Sequence, residues 1–310
     1  MDPITNLTSI AEYLFILVVI SGIGLLGIFS LVYVFILWFK FHNREEQSLN
    51  FVLLEVSVPR DNEVKIDAAE QMFASLYSIK KSGFWSRFKA QNHISFELVA
   101  KKEDIRFYVC LPNNLRDLVE KEIHGAYPGA EVKEVDEYNI FSEKGKVAFT
   151  EMKLKSSSYY PIKVYKELPT DSLSSLTSSL AKMGEDEGAA IQIIVAPASK
   201  GWQAAGKAYV AKVKKAEADP ESAKYNVDPK DLEAIENKCS KVGFETTIRI
   251  VVSSKTKESA QAHLDNISSN FAQFTSGLNG FKKKKWVLFK KALWLILFID
   301  INQFLARKVF

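Results

Sequence analysis

One stretch has the residue types and spacing to hold a phosphate. Gly201-Trp202-Gln203-Ala204-Ala205-Gly206-Lys207-Ala208 fits GxxxxGK, follows an apolar run from Ile191 to Ala196 and opens a helical pattern. A phosphate loop needs that context, because glycines let backbone amides curl around the phosphates while the lysine reaches them. The position that should hold Mg²⁺ through a hydroxyl is Ala208, and Trp202 and Gln203 place bulk where the amides must curl. The apolar strand at Phe244 to Val252 ends in Ser253-Ser254, where a metal-binding acid would be expected. Loss of the Mg²⁺ ligand removes the mechanism. The stretch therefore reads as a helix start, with Trp202 on the apolar face and Lys207 in solvent.

The other reactive side chains do not assemble by spacing. His42, His93, His124 and His263 are scattered, without an H-x₃-H or HExxH pairing. The serines at Ser156 to Ser158 and Ser172 to Ser179 lack a GxSxG frame. Carboxylates fall on polar helix faces and turns, and no pair stands out for acid–base work. Cys110 and Cys239 both fall on apolar patterns, as small core residues, and sparse cysteine suits a reducing cytoplasm. Phe107 and Tyr108 do not form an RNP-like run with glycines. Lys282 to Lys285 with Trp286 could meet phosphates and a base, but beside a membrane anchor such a run reads first as a lipid or solubility feature. The expectation is no catalytic residue, no cofactor, no metal site and no direct nucleic-acid contact: a non-enzyme.

The element that must position everything else is Tyr13 to Phe39, about 27 residues without a charge, where a bilayer crossing needs about 20. In hydrocarbon the backbone must satisfy itself, so the run should be one helix. Residues 1–12 hold Asp2 and Glu12 and no Lys or Arg, whereas Lys40, His42 and Arg44 follow the run. The positive-inside rule then puts residues 1–12 outside the inner membrane and everything after Lys40 in the cytoplasm. A signal peptide would need a basic start, a shorter core and a small-residue exit. Gly22, Gly24 and Gly27 could admit a second helix, leaving a homo-oligomer open.

A polar hinge follows at Phe41 to Asn50, and the chain as a whole has the composition of a folded protein, with 47% hydrophobic and 25% charged residues and a net charge of +4. Residues 50–136 read as strand, helix, hairpin, helix, strand. The strand Phe51 to Val58 leads to Asp67-Ala-Ala-Glu70, an acidic capping box. Ile94, Phe96 and Leu98 alternate, as do Ile105, Phe107 and Val109. Asn113 or Asn114 can cap the next helix, and a short strand lies near Glu131 to Val135. Residues 146–290 repeat the order, with Asp171 capping a helix, strands at Ala189 to Ala196 and Phe244 to Ser253, and an amphipathic stripe from Ala260 to Leu278. A helical insert, 197–242, forms a hairpin expected at the sheet edge, its second helix started by Asp228-Pro229. The predicted fold is α+β: an N-terminal transmembrane helix, then two tandem ferredoxin-like (βαββαβ) domains, the second with a helical insertion.

The tail, 281–310, is basic and apolar, with Ala292 to Ile301 too short to span. It either packs on a partner or lies on the anionic inner leaflet.

Several stretches carry a resemblance. VSVPRDNEVKIDAAEQMFASLYSI, HISFELVA, DIRFYVCLP, AYPGAEVKEVDEY, YYPIKVYKELPTDSLSSLTSSLAKM and AAIQIIVAPA, behind a single anchor, resemble one family. It is the uncharacterised N-terminal region of membrane-anchored conjugative DNA-transfer (type IV secretion-like) ATPases of small-genome bacteria. The likeness runs from about Ile10 to Gly280, on structural rather than catalytic motifs. In that family a motor domain follows; here no usable Walker site is found, so motor activity is not carried over. The resemblance implies a non-enzymatic anchoring and assembly module of a DNA-transfer or secretion-type ATPase system, with membrane lipid and a motor ATPase as partners. The alternative is a standalone membrane-associated scaffold or sensor binding a protein or anionic lipid.

Overall fold

The computed structural model describes residues 3–41, 50–83, 91–102, 104–169, 171–217 and 227–284. The hinge at 42–49, most of the connection at 84–90, the middle of the insert at 218–226 and the tail from 285 lie outside them. The chain divides into two units, one of residues 1–49 and 81–90, the other of 50–80 and 91–310.

In the first unit, α1 (Pro3–Phe41) is one helix. Its segment Tyr13–Ile36, 24 residues, is long and apolar enough to cross a membrane or to serve as a signal sequence. At about 1.5 Å per residue it is about 36 Å long, against about 30 Å of hydrocarbon. The side chains from Tyr13 to Phe35 are all exposed, so this apolar surface is not spent on a protein core.

The second unit is built on one antiparallel sheet of eight strands in the order β4-β1-β3-β2-β6-β7-β5-β8. The strands are β1 (Phe51–Ser57), β2 (Ile94–Lys101), β3 (Asp104–Pro112), β4 (Glu131–Val135), β5 (Lys146–Leu154), β6 (Gly188–Pro197), β7 (Phe244–Ser254) and β8 (Phe281–Lys283). Residues 50–136 supply the first four strands and residues 146–283 the last four. The halves join where β2 pairs β6, from Ile94↔Val195 to Lys101↔Gly188.

Period-2 alternation sends Ile94, Leu98, Ile191 and Ile250 to one face, where helices cover them. Over the first half lie α2 (Asp67–Leu76) and α3 (Arg116–Ala126), which bury Leu76, Val119 and Ile123 against Leu54 and Leu111. Over the second half lie α4 (Ser174–Leu180) and α7 (Lys257–Ser269), which bury Leu180, Leu264 and Ile267 against Ile191 and Ile250. Each such side chain contributes about 1.5–3 kcal/mol through burial. Thr256 caps α7 by accepting from the Ser259 amide at 3.1 Å.

The insert forms α5 (Gly201–Glu217) and α6 (Pro229–Ser240), packed together through Val210, Val213, Leu232, Ile235 and Cys239. Asp228 accepts from the Lys230 amide at 2.9 Å, with Pro229 at the first helical position as expected. The pair does not sit at a sheet edge. It leaves from the end of β6 and returns to β7, both interior strands, with Ala198 N–H donating to Gly243 O at 2.9 Å.

Three expected caps are replaced. Asp67 and Glu70 form no capping box: Ile66 is the N-cap and makes no side-chain cap bond. Asp67 accepts instead from Tyr165 and pairs with Lys166 at 3.2 Å, while Glu70 pairs with Lys241. Cations of the second half outbid the local amides for these carboxylates. Asn113 and Asn114 lie in a 3₁₀ turn (Asn113–Leu115), and α3 starts after Leu115 without a side-chain cap. Asp171 precedes its helix by three residues and accepts from the Leu173 amide at 3.1 Å, making a turn rather than a cap.

Candidate functional site

The face of the sheet opposite the helices carries a row of polar residues. Neighbouring partners in register are Lys133↔Glu55, Glu55↔Tyr108, Tyr108↔Glu97, Glu97↔Gln192, Gln192↔Arg249 and Arg249↔Glu151. Lys284 completes it, with its amide donating to Glu151 O and its Nζ to Glu151 Oε1, both at 2.8 Å. One polar side chain per strand thus crosses the full width of the sheet.

The centre of the row is closed over. Between β4 and β5 the chain runs as a strap, residues 136–145. Tyr138 stacks on Tyr108 with ring centroids 5.2 Å apart, and its hydroxyl donates to Glu97 Oε2 at 2.5 Å. Ile140 lies against Gly188, where an added Cβ would stand 2.7 Å from Ile140 O. Lys101 Nζ donates to Asn139 O at 3.0 Å. Leu53, Val99, Cys110, Ala190 and Val251 pack beneath the strap.

Glu97 is 3% exposed. It accepts from Ser95 Oγ at 2.7 Å and Gln192 Nε2 at 3.1 Å as well as from Tyr138. Burial pushes its carboxyl above the ordinary value, against the opposing pull of those donors. Burial, then the neighbouring Glu97, raises Tyr138 well above an ordinary phenol. Arg249 is the next charge along, and its buried Nε makes no hydrogen bond among the described residues. Chemically this is a buried carboxyl pinned beneath a strap by three donors, suited to fixing the strap and the strand register.

A second cluster gathers Glu187, Ser254, Ser259 and His263. Both serine hydroxyls donate to Glu187 Oε1, the Ser259 bond at 3.2 Å, while Gly184 N–H donates to Oε2 at 3.1 Å. His263 Nε2 lies 3.4 Å from Oε2. Burial would raise this carboxyl, but the hydrogen bonds and His263 together hold it below its ordinary value. The residue types are those of a hydrolase triad, but the serines bond to the carboxylate and not to the histidine, so no base addresses a nucleophile. The cluster ties β6, β7 and α7 together.

The residues singled out by spacing are dispersed. Gly201 to Lys207 is helical from its first residue, with Gly206 buried against Tyr159 and Cys239 and Lys207 exposed. Gln203 donates to Lys241 O at 2.7 Å. His93 packs on Phe51 with ring centroids 5.1 Å apart, His124 lies 3.9 Å from Glu120, and His42 is outside the described residues. Ser175 and Ser179 accept from Gln273 and Asn270. Both cysteines are buried. Phe107 and Tyr108 point to opposite faces. Lys282, Lys283 and Lys284 are engaged by Lys155 O, Asp265 and Glu151. Among the described residues no group of three His, Cys, Asp or Glu could hold a metal ion. The polar row is not legible in the sequence because Glu97, Gln192 and Arg249 are each flanked on both sides by large apolar residues in strands that read as buried. The alternation that marks the core face also marks them, but strand pairing is needed to align them.

The class so defined is an α+β protein with one antiparallel eight-stranded sheet and an N-terminal apolar helix. Residues 43–280 match the family described as "Domain of unknown function (DUF8128)", and the chain belongs to that family. A search of curated proteins gives no match. Among solved structures, a glycopeptide hexose oxidase complexed with teicoplanin is similar at 9% identity and a TM-score of 0.31, covering 73% of this chain and 41% of that one. Aclacinomycin oxidoreductase is similar at 10% identity and a TM-score of 0.32, covering 72% and 41%. An unknown protein from Galdieria sulphuraria gives 14% identity and a TM-score of 0.19, covering 76% and 98%. The chain spans about two fifths of the oxidase structures, and at these scores the likenesses carry no argument about fold or activity.

Proposed function

We propose that this chain is a non-enzymatic membrane-anchoring and assembly module, held by α1 in the inner membrane with its sheet in the cytoplasm. The observation that carries the reading is the closed centre of the polar row: the Glu97 carboxyl is taken up by Ser95, Gln192 and the strap's Tyr138 rather than left open to a substrate. The length and apolarity of α1 support anchoring, and the charges flanking it support the orientation. The resemblance to the N-terminal regions of conjugative DNA-transfer ATPases supports a motor ATPase of a transfer or secretion system as partner.

We read the sheet as two ferredoxin-like units fused edge to edge. The first half carries the order β4-β1-β3-β2, and the second, taken inward from β8, carries β8-β5-β7-β6. Each is the same 4-1-3-2 arrangement with its helices on one face. A fused pair of this kind offers a broad rigid platform for assembly.

The test is purification of the tagged full chain from membranes of its own cell. The expected result is retention through alkaline extraction, protease access from the cytoplasmic side only, and a Walker-type ATPase at fixed stoichiometry. A chain that washes off the membrane, or purifies without an ATPase, overturns the reading.

A further inference from the structure

We propose that the exposed face of α5 docks on anionic phospholipid headgroups, at the end of the sheet nearest its tether. This deepens the anchor reading and rests on it. The helix carries Lys207, Lys212, Lys214 and Lys215, Lys200 immediately precedes it, and Glu217 is its single acid. At 3.6 residues per turn, Lys200, Lys207 and Lys214 fall on one stripe. Gly206, Val210 and Val213 are buried toward α6, about a quarter turn round the helix from that stripe.

Ala204, Ala208 and Ala211 lie exposed among the lysines. Short side chains let the helix approach a surface closely while the long lysine stems reach the phosphates. Lys214 is paired with Glu236 at 2.6 Å. Lys200, Lys207 and Lys215 are exposed, and among the described residues no carboxylate stands within ion-pair distance of them. No aromatic ring lies on the exposed face to stack a base, which favours a lipid surface over a nucleic acid.

The topology puts this helix at a defined place. Strand β1 begins at Phe51, opposite Pro112, and the same end of the ladder continues through Ile94↔Val195 to the last residue of β6. The chain therefore enters the sheet at the end where α5 leaves it. Residues 42–49 connect α1 to that end and reach at most about 30 Å when extended. A surface so tethered meets the bilayer at high effective concentration. Each lysine near an anionic leaflet strengthens the contact about fivefold, so three together give about a hundredfold.

The experiment places the full chain in nanodiscs of phosphatidylcholine alone or of equal parts phosphatidylcholine and phosphatidylglycerol. Ala208→Cys carries a fluorophore, which labels selectively because Cys110 and Cys239 are buried, and spin-labelled lipids act as quenchers. The expected result is quenching in the anionic discs, absent in neutral discs and at high salt, and abolished by combined Lys200→Gln, Lys207→Gln and Lys215→Gln. Glutamine preserves helix propensity, and circular dichroism checks that the fold survives. Equal quenching in both discs, no quenching, or lysine-dependent binding of a DNA oligonucleotide in preference to lipid overturns the proposal. Alkaline extraction separates the two readings. A chain that stays inserted with an unquenched label sinks only the α5 contact, whereas a chain that is extracted sinks the anchor as well.

Discussion

Removing the carboxyl at the centre of the polar row tests whether that row holds the strap. In Glu97→Leu the Tyr138 and Ser95 hydroxyls lose their acceptor in a buried setting, and each stranded donor costs about 1–3 kcal/mol. The Gln192 amide is only half-buried, so water can replace that contact. The expected loss is about 2–6 kcal/mol. Tyr138→Phe removes one donor and leaves Glu97 with two, for about 1–3 kcal/mol. In the double variant the tyrosine hydroxyl is no longer stranded, so the combined loss falls short of the sum by about 1–3 kcal/mol. The assay is urea unfolding of the full chain in detergent micelles, followed by tryptophan fluorescence. The pH dependence has a fixed sign. Burial raises the folded-state value of Glu97 above its unfolded one, so the folded chain holds that proton more tightly. Its contribution is complete below the unfolded value and fades as pH rises through the folded value. The cost of Glu97→Leu is therefore larger at acid pH and smaller in the alkaline range. Additive losses, or a cost that grows with rising pH, would refute the picture of a buried, strap-pinning carboxyl whose folded-state value is raised.

Three further outcomes are expected. Gly206→Ala gains about 1 kcal/mol of helix propensity but forces a Cβ to 2.9 Å from Tyr159 Cβ and against Cys239; overpacking of about 1–3 kcal/mol makes a net loss the expected sign, read from the thermal midpoint. Gly188→Ala meets Ile140 O at 2.7 Å, so limited proteolysis should cut the strap at 136–145 sooner than in the parent chain. Asp228→Ala removes the cap of α6 and costs about 1 kcal/mol, seen as faster amide exchange in its first turn.

Much of the fold was legible because apolar spacing reports burial directly. The alternation in β2, the first part of the stripe (Ala260, Leu264 and Ile267 on α7) and the Asp228-Pro229 start appear at the expected place, while the helix ends at Ser269 and gives way to a 3₁₀ turn (Asn270–Phe274) well short of Leu278. What was hidden depends on partners distant in the chain. Asp67 and Glu70 have the look of a capping box, yet they answer to Lys166 and Lys241, which no local rule brings near. The join between β2 and β6 is equally silent, since either strand alone reads as a buried strand of its own half. The polar row is hidden for the same reason, and GxxxxGK was readable only as an imperfect pattern that resolves into helix packing at Gly206.

The β2–β6 join has a consequence for how the chain can be divided. Severed between β4 and β5, each fragment would expose a long apolar strand with unpaired backbone amides and carbonyls. Such an edge recruits any strand of similar register, including its own copy. A fragment ending at residue 145 is thus expected to self-associate through β2, mimicking in a homodimer the seam that the intact chain closes within itself. During synthesis β2 emerges long before β6, so this edge stays open until the second half is made.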